Sequence, residues 1–232
     1  MTWLERASLF SVYDMGSLAF FVASWLIIGW MVEHSSSTLP STSRLMADYR
    51  RDWMRQMITR DPRIFDAQIV ASLRQGTAFF ASTAVLALGG ALALLGNADQ
   101  LTTVAGDLVQ SDAPTFVWEV KLLLMVLFLA NAFLKFVWAN RLFGYASVLM
   151  ASVPNDPNDP DCTVRANQSA EINILAAQSF NRGLRSVYFA LAATAWLAGP
   201  LLLFVATCLT LLVIGRREFR SRARRVLLDT GS

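Results

Sequence analysis

One long apolar run, from Phe116 to Trp138, contains four polar residues that could do chemistry: Glu119, Lys121, Asn131 and Lys135. At about 100° per residue, Lys121, Phe128, Asn131, Lys135 and Trp138 fall near one face of a helix. A charge at the centre of a bilayer costs roughly 2.5–3.5 kcal/mol on insertion scales. Such residues therefore face other helices, water or headgroups. Read as chemistry, the face is a polar path or an anion site inside a helical bundle. Read as architecture, Lys121 snorkels to one interface beside Glu119 while Lys135 snorkels to the other. The second use is the commoner one for lysines near helix ends. Asp14, at the start of the first apolar run, is a candidate partner for Lys121 across helices, or else a water-facing carboxylate.

The elements that must position these residues follow from composition. The chain has 232 residues, of which 55% are hydrophobic and only 16% charged, with a mean hydropathy of +0.44. Soluble domains carry about 25% charged residues. The deficit excludes an ordinary cytosolic globule, a disordered chain and a disulfide-stapled secreted module. A bilayer core needs about 20 apolar residues per helix. Four stretches qualify, at about 12–32, 77–95, 116–138 and 187–214. The fourth is longer than necessary and contains Gly199-Pro200, so a kink or strong tilt is expected there. The expected fold is an all-α integral membrane protein. Residues 1–232 form a single membrane domain, a four-transmembrane-helix bundle with amphipathic interfacial helices in its two basic loops.

In the loop 33–76, Leu45, Tyr49, Trp53 and Met57 recur every four residues, flanked by Met46, Met54 and Ile58. Arg44, Arg50, Arg51 and Arg55 fill the other face, a pattern that predicts a helix lying on the membrane surface. Asp61-Pro62 reads as a helix start that continues into the second span. In the loop 139–186, the third helix should reach about Met150. An Asn-Asp-Pro turn repeat then breaks it, and a further helix should run from about Val164 to Arg185. The intervening loop, with Asp99, Asp107 and Asp112 and no Lys or Arg, should lie outside, and the two basic loops in the cytoplasm. Four full spans then place both termini outside. The tail at 215–232 opposes this, since Arg216, Arg217, Arg220, Arg222, Arg224 and Arg225 favour the cytoplasm. A fourth span made re-entrant at Gly199-Pro200 is the alternative.

Several chemistries lack the residues they need. His34 is the single histidine, so a bis-histidine haem within one chain and a zinc site are both excluded. The acidic loop around Asp156, Asn158, Asp159 and Asp161 lacks the glycine and terminal glutamate of an EF-hand and suits Asx turns. No phosphate-cradling glycine loop, nucleophile elbow or zinc-protease motif occurs. No cofactor and no metal are expected. All but two of the 20 basic residues are Arg; clustered beside spans, they meet anionic headgroups and do not require nucleic acid. Ala19/Ala23, Ala87/Ala91, Gly89/Ala93 and Ala195/Gly199 are small-residue pairs suited to close helix packing. Trp25, Trp30, Trp118 and Trp138 suit interfacial anchors.

Several segments together carry a resemblance. They include Tyr49-Arg50-Arg51-Asp52-Trp53-Met54, Arg63-Ile64-Phe65-Asp66-Ala67, Lys135-Phe136-Val137-Trp138, Phe180-Asn181-Arg182-Gly183-Leu184-Arg185 and Arg217-Glu218-Phe219-Arg220-Ser221. In this order the chain resembles the bacterial branch of the membrane-protein family called domain of unknown function five-nine-nine. The resemblance implies an integral membrane protein of about four spans, in a bacterial inner membrane, and brings no activity or catalytic residue. Within the matching segments, Arg63, Arg74, Arg141, Arg182 and Arg185 should stand at the cytoplasmic boundary, near Asp66, Asn140 and Asn181. Guanidinium groups there either bind headgroup phosphates or carboxylates through paired donors, or dock the loop helices onto the bundle.

The expected function is a non-catalytic accessory or scaffold protein. Its expected partners are membrane lipids and either another membrane protein or a second copy in a homo-oligomer. The alternative is a small oligomeric transporter or channel for an anionic or lipid-like solute, using the polar face of the third span.

Overall fold

A computed structural model describes residues 8–36, 38–100 and 114–229. Asp107 and Asp112, which entered the topology argument, lie outside these. The described elements are helices: α1 (Val12–Glu33), α2 (Thr42–Met57), α3 (Ile64–Gly96), α4 (Thr115–Ala151), α5 (Asp161–Thr194), α6 (Pro200–Phe219) and α7 (Arg222–Leu228), with a 3-10 turn at Ala195–Ala198. Among the described residues, α1, α3, α4 and the stretch that opens with α6 are long and apolar enough to cross a membrane. The protein is an all-α, multi-pass membrane protein.

Helix boundaries follow local chemistry. Ser11 caps α1: its Oγ accepts the Asp14 N–H at 3.1 Å, and Asp14 Oδ2 accepts the Ser11 N–H at 3.2 Å, a reciprocal capping box. Ser41 caps α2, accepting the N–H of Arg44. α3 starts at Ile64, two residues after Pro62, with Arg63 at its cap position. The acidic loop forms the Asx turns its residues suit: Asp156 Oδ1 accepts the Asn158 N–H at 3.0 Å, and Asp159 Oδ1 accepts that of Asp161 at 2.8 Å.

The spine is the antiparallel pair α4 and α5. On α5, Cys162, Ala166, Ser169, Asn173, Ala176, Ser179, Gly183, Ser186, Ala190 and Ala193 are all buried. They recur at intervals of three and four, a seam of small side chains that lets two backbones approach. Hydroxyl and amide groups on the seam reach α4 directly. Ser169 Oγ donates to the Ala146 carbonyl at 3.1 Å, Ser179 Oγ to the Lys135 carbonyl at 2.9 Å, and Asn131 Nδ2 to Ser186 Oγ at 2.7 Å. The closest approach is at Gly183, where a Cβ would stand 2.6 Å from Phe136 Cε1. Phe136 is fully buried and forms a ring cluster with Phe80 of α3 and Phe180 of α5.

The expected fourth span, 187–214, is divided between two helices. α5 ends at Thr194, Gly199 takes φ +128° and Pro200 starts α6. Only glycine adopts that backbone freely, and proline suits the first turn of a helix. The chain reverses here. Along α1, Asp14 bonds Trp196, Phe21 packs on Phe189, and Glu33 pairs with Arg182 and Arg185, so α5 runs antiparallel to α1. Phe204 then returns beside Phe20 at 4.7 Å between centroids, and Glu218 reaches Ser43 at the start of α2. α6 is therefore parallel to α1. The Arg-rich tail lies at the same end as α2, not opposite it, and its conflict with the basic loops disappears.

Two packing expectations are corrected as well. Ala19, Ala23, Gly89 and Ala93 are exposed, and of the small pairs named from sequence only Ala91 is buried; the true seam is on α5. Trp118 is no interfacial anchor: it is 2% exposed, with the Lys121 ammonium over its ring.

At the Arg-rich end, α2, the first turns of α3, the last of α4 and the first of α5 form a lobe. Its core holds Met54, Met57, Val70, Met150, Val153, Cys162, Ala166 and Ala170. Asp66, fully buried, accepts the Trp53 indole N–H at 2.7 Å and a guanidinium N–H of Arg60, which ties α2 to α3.

Gly183→Ala should destabilise the protein by about 1–3 kcal/mol, the range for overpacking a tight core, read as a lower melting temperature in detergent. Phe136→Leu in the same chain should recover part of the loss. A Gly183→Ala protein as stable as the parent would contradict the close approach.

Candidate anion-binding cavities at the Arg-rich end

The residues expected to form an intramembrane polar face do not form one path. Lys121 is 9% exposed, with its ammonium 5.8 Å from the ring centroids of both Trp118 and Trp196. This is cation–π geometry in a desolvated site. Asp14 Oδ1 accepts the Trp196 indole N–H at 2.8 Å. Asp14 and Lys121 thus share one indole and feel each other's charge, without a direct ion pair. Asn131 is bound to Ser186. Between Lys121 and Asn131, Phe21, Phe128 and Phe189 pack with centroids 5.1–6.1 Å apart. Glu119 is exposed and off this face; Lys135 is half-buried.

The five boundary arginines separate into three uses. Arg182 and Arg185 clamp Glu33: Arg182 Nε and Nη2 donate to its two oxygens at 2.8 and 2.6 Å, and Arg185 Nη2 donates at 2.5 Å. This forked pairing locks α1 to α5. Arg141 donates to Tyr145 Oη at 2.7 Å on the exposed face of α4. Arg63 and Arg74 line a common cavity.

That cavity has a volume of about 450 Å³ and lies between α3 and α4. Ala67, Val70, Ala71, Met57, Met150 and Ala151 make it largely apolar, and Ser147 and Asn155 add polar groups. Arg63 is occupied, donating to the carbonyls of Val153 and Pro154 at 2.7 Å each and of Ile58 at 3.3 Å. Arg74 lies over Gly144, where a Cβ would stand 3.9 Å from its Cζ. It has no hydrogen-bond or ion-pair partner among the described residues. Among the described residues, no carboxylate lines this cavity.

Two further cavities flank α2. One, of about 360 Å³, is lined by Arg44, Arg51 and Arg185 but also by Glu33, Asp48 and Glu171. Arg51 bonds Glu171 at 2.7 Å and Asp48 at 2.8 Å; the Glu171 hydrogen bond first of all makes it hold its proton more tightly than usual. Opposite charges balance there. The other, of about 510 Å³, is lined by α2, α3, α5 and the α6–α7 junction and includes Arg50. Sequence reasoning placed Arg50 on the polar face of α2. It points inward, to Asn173 of α5. The signal was present: Arg50 falls four residues after Met46 and four before Met54, inside an apolar stripe.

With this geometry in hand, comparison with known proteins gives one result. Residues 17–223 match the family described as "Protein of unknown function, DUF599", and the chain belongs to that family. No curated protein and no solved structure matches it.

Glu33→Gln should lower stability by about 2 kcal/mol, since it removes a carboxylate shared by two charged donors. Arg185→Met should cost more than Arg182→Met, because the Arg185 side chain is 9% exposed and that of Arg182 44%. Thermal unfolding of the three variants checks this order; equal melting temperatures would contradict it.

Proposed function

We propose that this protein is a non-catalytic accessory or scaffold protein of a bacterial inner membrane, with its Arg-rich end in the cytoplasm. There it contacts anionic lipid headgroups and packs against a larger membrane complex or a second copy of itself. The observation that carries the lipid reading is the cavity between α3 and α4. It brings together two sequence-predicted arginines, has apolar walls and, among the described residues, no carboxylate and no partner for Arg74. A guanidinium in such a place suits a phosphate or carboxylate at the head of an apolar tail. α3 supports the packing role, being the least buried of the helices long enough to cross a membrane. The aromatic cluster between Lys121 and Asn131 favours this reading over a transport path along α4.

Native mass spectrometry of gently extracted protein tests both parts. The parent should retain anionic phospholipid and show a mass above one chain; Arg74→Ala should retain less lipid while keeping its fold. Undiminished lipid in Arg74→Ala would contradict the site, and a lone monomer with no bound protein would contradict the packing role.

A further inference from the structure

The 510 Å³ cavity beside α2 holds a guanidinium that the fold does not neutralise. Arg50 is half-buried, and that burial makes its guanidinium hold its proton less tightly than usual. Its one protein partner in the lobe is Asn173 Oδ1. Asn173 is fully buried, and its own amide nitrogen has no partner among the described residues. A guanidinium carries five N–H donors in a planar fork, so most of its capacity is open. The acid on the cavity wall among the described residues, Glu218, is already engaged, accepting the Ser43 N–H at 3.1 Å and the Ser43 hydroxyl at 3.0 Å. Burying a charge without a counter-charge is unfavourable unless something else supplies one.

The remaining walls indicate what that is. Ser72, Gln178 and Asn181 are polar; Leu73, Phe143 and Phe180 are apolar. α3 and α6 both contribute to the rim but do not pack on each other. Gly76, on the α3 side, has open space where a side chain would be. The cavity therefore has polar and cationic groups beside an apolar, partly aromatic wall, and is bordered by α3 at Gly76 and by the last turn of α6 at Arg217 and Glu218.

We propose that this cavity is a second binding site, separate from the one at Arg74, that takes the phosphate of a membrane amphiphile on Arg50 while its acyl chain leaves between α3 and α6 past Gly76. An amphiphile fits better than free phosphate because Leu73, Phe143 and Phe180 give the cavity an apolar, partly aromatic wall.

The test uses full-length protein in mild detergent, in an Arg74→Ala chain so that the first site is silent. Binding of short-chain phosphatidic acid, the matching diacylglycerol and inorganic phosphate is measured by calorimetry. Phosphatidic acid should bind, the diacylglycerol and inorganic phosphate at least tenfold more weakly, on the order expected for charge-assisted hydrogen bonds. Arg50→Met should weaken phosphatidic acid by about tenfold or more, and Arg50→Lys by less. Gly76→Leu, whose Cβ has open space around it, should weaken phosphatidic acid by filling the cavity edge. It decides the matter if Arg50→Met does not fold. Unchanged binding in Arg50→Met or Gly76→Leu, or inorganic phosphate binding as tightly as the lipid, would overturn the proposal.

Discussion

The close approach of α5 to α4 is the interaction on which the rest of this structure depends. Inside a bilayer, lipid tails are as apolar as leucine, so burial alone gives helices little reason to associate. Backbone proximity and paired polar groups decide. α5 supplies both along one seam, with Gly183 against Phe136 and hydroxyl or amide links at Ser169, Ser179 and Ser186. Individual interhelical hydrogen bonds in membranes average only about 0.6 kcal/mol, so they set register more than they supply stability. Continuous van der Waals contact along the seam does the larger part.

That seam dictates the ends of the molecule. At one end it carries Trp196 to Asp14 and Lys121, and the chain has nowhere to continue except back along α1 through Gly199-Pro200. At the other end it extends beyond the apolar zone and becomes the floor on which α2 and the α6–α7 junction rest. Thr42 bonds the carbonyls of Arg217 and Glu218, and Arg224 bonds that of Pro40. Arg63 ties the start of α3 to the turn after α4, and Arg182 and Arg185 hold α1 to α5. Arg74 faces a cavity with no acid among the described residues, and Arg50 one whose acid, Glu218, is already bonded to Ser43; the functional reading rests on that difference.

Much of the fold was legible in the sequence, because apolar length and the lysine–arginine bias report solvent directly. The helices α1, α3 and α4 follow from length, and the reach of α4 beyond Trp138 from the turn residues after Met150. The reversal was not legible from hydropathy: 187–214 carries no charge, and hydropathy has no direction. Two marks pointed to it, the Gly199-Pro200 pair and a tail whose arginines stood on the wrong side for four full spans. The α5 seam was obscured because half of it belongs to a helix with a polar outer face. For the sites, Arg63 and Arg74 meeting in one cavity followed from their place at the boundary. The capture of Arg182 and Arg185 by Glu33, and of Arg50 by Asn173, depends on tertiary contacts more than a hundred residues apart in sequence.

The reversal at Gly199-Pro200 is tested most directly by disulfide trapping between Phe20→Cys and Phe204→Cys in membranes, with Cys162 and Cys208 replaced by alanine. The rings of Phe20 and Phe204 lie 4.7 Å apart, so a rapid intramolecular bridge is expected. In a single unbroken helix with Phe189 against Phe21, residue 204 would lie about 22 Å further on, at 1.5 Å per residue. Absence of that bridge under oxidation would contradict the account.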